Sequence, residues 1–189
     1  VAAGKAAWQM AHAARAYLQD NFCGGVVVTK YGHVKGDIAD VACFEGGHPV
    51  PDENSLRGTD AALTLTANLT ESDTVVFLLS GGGSALFEKP LLPLDDLQDV
   101  TNQLLAAGAD IVEINTIRKR LSAVKGGRFA RHCAPAQVFA VVLSDILGDP
   151  LDMIASGPAY PDSSSCAQAL DIAKKYGLRL SEQAWALLA

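Results

Sequence analysis

TVVFLLSGGGSAL, residues 74–86, is the stretch whose reading decides the fold. An apolar run ending at Ser80, three glycines (Gly81, Gly82, Gly83) and then Ser84, Ala85 and Leu86 predict a buried parallel strand that opens through a tight turn into a helix. In open α/β sheets the ligand crevice lies beyond the carboxyl ends of the strands, and glycines let backbone N–H groups approach an anion with no Cβ in the way. Gly81, Gly82 and Gly83, with the hydroxyls of Ser80 and Ser84, therefore form a candidate cradle for phosphate or carboxylate, although the same glycines also suit a plain chain reversal. The better-known signatures are not met. Leu86 stands third after Gly83, so neither GxGxxG nor GxSxG is completed, and no Gly-Lys-Ser/Thr follows as a P-loop requires.

Upstream, VAAGK at residues 1–5 repeats the pattern of a strand end, a glycine and a helix, here the Ala-rich AAWQMAHAARAYLQD. A lysine at the first turn of a helix opposes the helix dipole unless an anion binds there, which makes Lys5 a catalytic candidate beside the simpler reading of a solvated lysine. VVVTKYGH predicts a second buried strand and DVACFE, residues 40–45, a third short one, and GGHPVPDENS a loop whose Asp52 to Ser55 end supplies caps for a helix over 56–69. Downstream, LDDLQDVTNQLLAAG predicts an amphipathic helix stopped by Gly108. A second helix follows, with Ile111, Ile114, Ile117 and Leu121 on one stripe and Asn115, Arg118, Lys119 and Ser122 facing elsewhere, until Gly126 and Gly127 interrupt it beside Lys125. Much of the cationic charge lies between Arg118 and Arg131, and it reads either as a solvated face or as an anion site. QVFAVVL predicts another buried strand, and Asp145, in the SDILGDP segment at its C-terminal end, stands where α/β enzymes hold a metal or a reacting hydroxyl, beside the simpler reading of a cap residue. A second Ser-Gly turn, Ser156 and Gly157, and two short helices close the chain. Strands alternating with helices predict one three-layer α/β domain.

Composition narrows the function classes. The 189 residues are 49% hydrophobic and 19% charged, ordinary for a folded domain, and the net charge of −6 with no basic run argues against nucleic-acid or membrane-surface binding. No apolar run is long enough to span a bilayer as a helix, and no charged leader precedes an apolar stretch and cleavage site. Cys23, Cys43, Cys133 and Cys166 lack metal-ligand spacing and predict reduced, mostly buried thiols in a cytoplasmic protein. Beginning at Val1 inside a strand, the chain reads as a processed product or a piece of a longer protein.

Five motifs in order, AAGKAAWQMA, GGHPVPDENS, LLSGGGSALFEKP, IRKRLSAVKGGRFA and LSDILGDPLDMIASGPAYPDSSS, closely resemble the N-terminal domain of the glycerate 2-kinases, the type with a C-terminal MOFRL domain, some of which carry the older name of hydroxypyruvate reductase. The resemblance covers nearly all of residues 1–189 and implies a Rossmann-like three-layer α/β/α domain with a mainly parallel sheet. It implies transfer of a phosphoryl group from ATP, with Mg2+, to the 2-hydroxyl of D-glycerate in a cleft between two domains. The initial helix and the MOFRL domain of the family are absent from residues 1–189, so the C-terminal domain is expected to complete the active site and this chain alone to turn over little. Carried onto these residues, Lys5 neutralises the substrate carboxylate or the moving phosphoryl group, and the Ser80, Gly81, Gly82, Gly83 and Ser84 loop holds phosphate. Asp145 coordinates magnesium or orients the glycerate hydroxyl; Asn115, Arg118, Lys119 and Lys125 form a second anion wall; His48 and Asp52 line the entrance.

Three rival readings carry less. A nicotinamide-dependent hydroxypyruvate reductase lacks its GxGxxG fingerprint here. A binding-only module would leave an apolar patch that favours a homo-oligomer. A hydrolase needs a histidine late in the chain, and after Ser84 only His132 follows.

Overall fold

The computed structural model describes residues 1–144 and 148–189. Five parallel strands, β1 (Ala2–Ala3), β2 (Gly25–Lys30), β3 (Val41–Gly46), β4 (Thr74–Ser80) and β5 (Gln137–Leu143), form one sheet in the order β3-β2-β1-β4-β5. The expected α/β class and parallel sheet are therefore present. β4 reads as an unbroken apolar run because both its faces are covered. On one face Val75, Phe77 and Leu79 meet Ala62, Leu86, Phe87 and Phe129, where the rings of Phe77, Phe87 and Phe129 lie 4.6–5.2 Å apart. On the other, Leu78 joins Ala2 and Val27 beneath α1 (Ala7–Leu18), whose Ala7 and Ala11 let the helix approach closely.

Helix α2 (Glu53–Leu65) joins β3 to β4, and α3 (Gly83–Leu86) is a single turn after the triple glycine. α4 (Leu94–Ala106), α5 (Ile111–Arg120), α7 (Cys166–Lys175) and α8 (Glu182–Leu188) make a separate helical cluster around Leu97, Leu104, Ile117 and Leu121, with α6 (Arg128–His132) returning the chain to β5.

Several expectations are corrected. α2 starts at Glu53 rather than 56, because Asp52 and Ser55 cap each other reciprocally, and it ends at Leu65 where the Thr66 hydroxyl turns back to donate to Ala62 O. α5 stops at Arg120, short of the double glycine, because the backbone at Leu121 and Ala123 pairs with Leu91 and Lys89. Its first residue, Ile111, is 55% exposed, whereas Asn115, Arg118, Lys119 and Ser122 are buried with the apolar stripe. β5 is an edge strand rather than a buried one. Phe139, Val141 and Leu143, in register with Val76, Leu78 and Ser80, are 57%, 52% and 55% exposed, since α1 on that side packs on β1, β2 and β4. Of the four free thiols only Cys133 is buried, and Cys23 is exposed.

The connection from β1 runs to β2 on one side and that from β4 to β5 on the other, so β1 and β4 flank a topological switch point. Gly4 and the loop after Ser80 meet there. Gly4 has φ +119°, and a Cβ on it would lie 2.3 Å from Ser80 Oγ and 2.4 Å from Ser80 O. Gly4→Ala is expected to destabilise the protein by about 2–4 kcal/mol in denaturant unfolding, through strain and the clash together.

Candidate active site

Three chain segments converge at the switch point. The amide of Lys5 donates to Gly81 O at 2.8 Å, and that of Ala6 donates to Ser80 Oγ at 3.0 Å. Ser80, 2% exposed, thus places its hydroxyl at the start of α1 and joins the two glycine turns. Gly82, at φ +88°, caps α3; a Cβ on it would fall 2.9 Å from His48 Cδ2, 3.0 Å from His48 Nε2 and 3.2 Å from Lys5 Cγ. Lys5, the glycine loop and His48 therefore share one small space, as their positions after β1, β4 and β3 require. His33 adds a ring nitrogen 2.8 Å from Lys5 O.

Partial burial, and then the charges of Lys5, Lys30 and His33, lower the pKa of His48 below the ordinary histidine value and so favour the neutral ring. Asp52 behaves oppositely. Its partial burial is outweighed by hydrogen bonds from Ser55, Tyr31 and Gly47, which hold the carboxyl at about 2. Tyr31 donates to Asp52 Oδ2 at 2.7 Å, and Asn54 Nδ2 donates to the Tyr31 hydroxyl. Asp52→Ala is expected to cost about 1 kcal/mol by loss of the cap. A carboxylate with a depressed pKa stabilises above the ordinary aspartate range and ceases to as the pH falls through about 2, so the gap between variant and parent in thermal unfolding should narrow over that fall.

Behind the loop the predicted anion wall faces inward. Ser84 O accepts from Arg118 Nη2 at 3.1 Å and from Lys125 Nζ at 2.8 Å. Lys125 also donates to Phe87 O at 3.0 Å and lies 3.4 Å from Glu88 Oε2, with both side chains of the pair 0% exposed. Lys119 Nζ sits 3.3 Å from Asp162 and 3.6 Å from Asp152, and Arg120 lies 3.3 Å from Asp162. Arg118 and Lys125 thus reach the loop through its carbonyl, while Lys119 ties α5 to the segment before α7. Asn115 accepts from Ser156 Oγ at 2.8 Å, and Ser156 Oγ stands 3.1 Å from Ser84 Oγ. Asp145 lies outside the described residues.

The sequence reading missed Glu88, Tyr31 and His33. A lone acid after the apolar Ala85-Leu86-Phe87 run was the available signal for Glu88; Tyr31 and His33 gave none, because their partners come from other segments. A cleft of about 460 Å³ lined by His12, Arg15, Asp20 and Asp37 lies at the opposite end of α1, where Arg15 is already engaged by Ala39, Gln19 and Asp40.

The model of a family described as a domain of unknown function, DUF4147, matches residues 1–189. A D-glycerate 2-kinase of Thermotoga maritima is 58% identical over 184 residues, 96% of this chain and 44% of that protein. A relative from Agrobacterium vitis, provisionally named a hydroxypyruvate reductase, is 43% identical over 190 residues, all of this chain and 43% of its own length. A crystal structure of a glycerate kinase from T. maritima superposes with a TM-score of 0.96 at 56% identity, covering 99% of this chain and 46% of that one. The chain therefore spans less than half the length of these relatives.

Proposed function

This chain belongs to the DUF4147 domain family, and on that premise we propose that it is the Rossmann-like part of an ATP-dependent glycerate 2-kinase. The observation that carries the reading is the convergence of Lys5, the glycine loop and His48 at the switch point of a chain 58% identical to a D-glycerate 2-kinase. ATP, when bound, supplies the phosphoryl group. Phosphoryl transfer needs little beyond positioning and charge stabilisation, which is what these residues offer.

In this reading the backbone N–H groups of Gly81, Gly82 and Gly83 bind phosphate, and Lys5 stabilises negative charge on the carboxylate or the transferring group. His48, whose surroundings favour the neutral ring, lines the entrance with Asp52. Arg118 and Lys125 act on an anion through the loop they hold. Among the described residues no group of three His, Cys, Asp or Glu side chains stands together as a metal site. The carboxylates of Asp52, Asp152 and Asp162 are engaged by protein partners, so the described donors alone do not fit magnesium. We assign Asp145, on the family resemblance, to magnesium or to the reacting hydroxyl.

A second domain closing the crevice fits the chain's share of its relatives' length. Four free thiols suit a cytoplasmic setting, and no described helix is long and apolar enough to cross a membrane.

The test is a coupled assay on the intact polypeptide with D-glycerate, ATP and magnesium, run beside hydroxypyruvate with NADH. Phosphoryl transfer to glycerate is expected. NADH oxidation with no ATP consumption would sink the kinase reading in favour of the reductase.

A further inference from the structure

The hydrogen bonds behind the glycine loop have a direction. Asn115 Nδ2 lies 3.3 Å from Met153 O, and an amide nitrogen only donates, so Oδ1 is the atom turned to Ser156. Ser156 Oγ stands 2.8 Å from that oxygen, and of the two atoms only the hydroxyl carries a proton. The single proton of Ser156 is therefore engaged. The 3.1 Å contact between Ser84 Oγ and Ser156 Oγ must then use the proton of Ser84. Asn115 and Ser156 are 1% and 0% exposed, whereas Ser84 is only partly buried. Ser84, in the glycine loop and only partly buried, is thus left with lone pairs and no proton to give while that bond holds. With its proton on Ser156 it donates to neither a phosphate nor a carboxylate, and phosphate is left to the loop's N–H groups.

Charge selects among the donors that Ser84 can accept. Arg118 and Lys125 both donate to Ser84 O, and Glu88 is the acid paired with that cluster, which leaves one excess positive charge beside the residue. A metal ion or ammonium group at Ser84 would meet that repulsion, while a neutral hydroxyl would not. We propose that Ser84 is a specificity residue whose hydroxyl accepts a hydrogen bond from a substrate hydroxyl, with its polarity set by the buried Asn115–Ser156 pair. The proposal rests on the reading of the substrate as glycerate, which offers two hydroxyls and a carboxylate.

Two measurements on the intact polypeptide test it. Calorimetric titration would compare D-glycerate, lactate (no 3-hydroxyl) and 3-hydroxypropanoate (no 2-hydroxyl) in the parent and in Ser84→Ala, with Mn2+ titrated separately. Ser84→Ala is expected to weaken D-glycerate binding by about 3- to 10-fold, the worth of one neutral hydrogen bond. The affinity for whichever analogue lacks the recognised hydroxyl should stay unchanged, as should that for Mn2+. Equal loss for all three acids, no loss for any, or a loss of Mn2+ affinity would overturn the proposal. Joint neutron and X-ray diffraction from crystals in D2O would place the deuterium of Ser156 toward Asn115 and that of Ser84 toward Ser156; a Ser84 deuterium pointing elsewhere overturns it independently of any ligand. If the parent binds none of the three acids, the glycerate reading fails and takes the substrate assignment with it, while the deuterium map still decides the polarity.

Discussion

Lys5→Met is expected to lower kcat/KM of the intact polypeptide for D-glycerate by about 10²–10³-fold, the usual effect of removing one preorganised charge or donor from a developing anion. Folding should be little affected, with a change within about 1 kcal/mol, as for an exposed charged side chain. The reason lies in the backbone. Two of the bonds that place residue 5, from its amide to Gly81 O and from His33 to its carbonyl, use its main-chain atoms and survive the substitution. The side chain emerges beside Gly82 at the switch point, so the change removes charge from the crevice and leaves the crevice standing. The coupled assay with a thermal melt on the same preparation checks both parts. A folded Lys5→Met protein with more than a third of parental activity would remove Lys5 from the site.

Lys125→Met should be the most damaging single change to stability, at about 3–5 kcal/mol, because it strands a buried acid. Glu88 and Lys125 are both 0% exposed and 3.4 Å apart, and the lysine also holds the carbonyls of Ser84 and Phe87. Adding Glu88→Gln to Lys125→Met should restore much of the loss, since the stranded charge is then gone; denaturant unfolding of the two single variants and the double variant measures this coupling. The pH dependence has a definite sign. Burial, opposed by the attraction of Glu88, lowers the Lys125 ammonium from the ordinary lysine value to about 8. Between that value and about 10.4 the unfolded chain holds more protons than the folded one, so this group's contribution to stability rises with pH across the window. The Lys125→Met variant should lack that rise. A parental melt with the same pH slope as the variant over this range would contradict the assignment.

Much of the fold was legible because it depends on local regularities. β4 was readable from an apolar run ended by glycines, and α4 from its 3.6-residue period and its stop, where Gly108 at φ +72° lets Ala109 donate back to Leu104 O. The corrections fall where nonlocal contacts intervene. β5 has the composition of a buried strand, yet order in the sheet is set by crossover connections, and these put it at an edge with Phe139 and Val141 exposed. α5 was expected to run on toward Gly126 because its sequence allows it; pairing of residues 121–123 with 89–91 ended it earlier.

The candidate site divides in the same way. By itself the sequence determined that Lys5 and the triple glycine follow strands, because glycine's tolerance of positive φ and the strand-to-helix change are local properties. Only the tertiary structure decided what the cations between Arg118 and Lys125 do. A helical period assigns residues to faces but does not say what each face will meet, and here one face of α5 packs in the cluster of α4, α7 and α8 while its polar residues meet the Ser84 loop and the 152–162 segment. Charges buried on that side must find partners within the protein, so Lys119 and Lys125 are held by acids and carbonyls that lie tens of residues away in the chain.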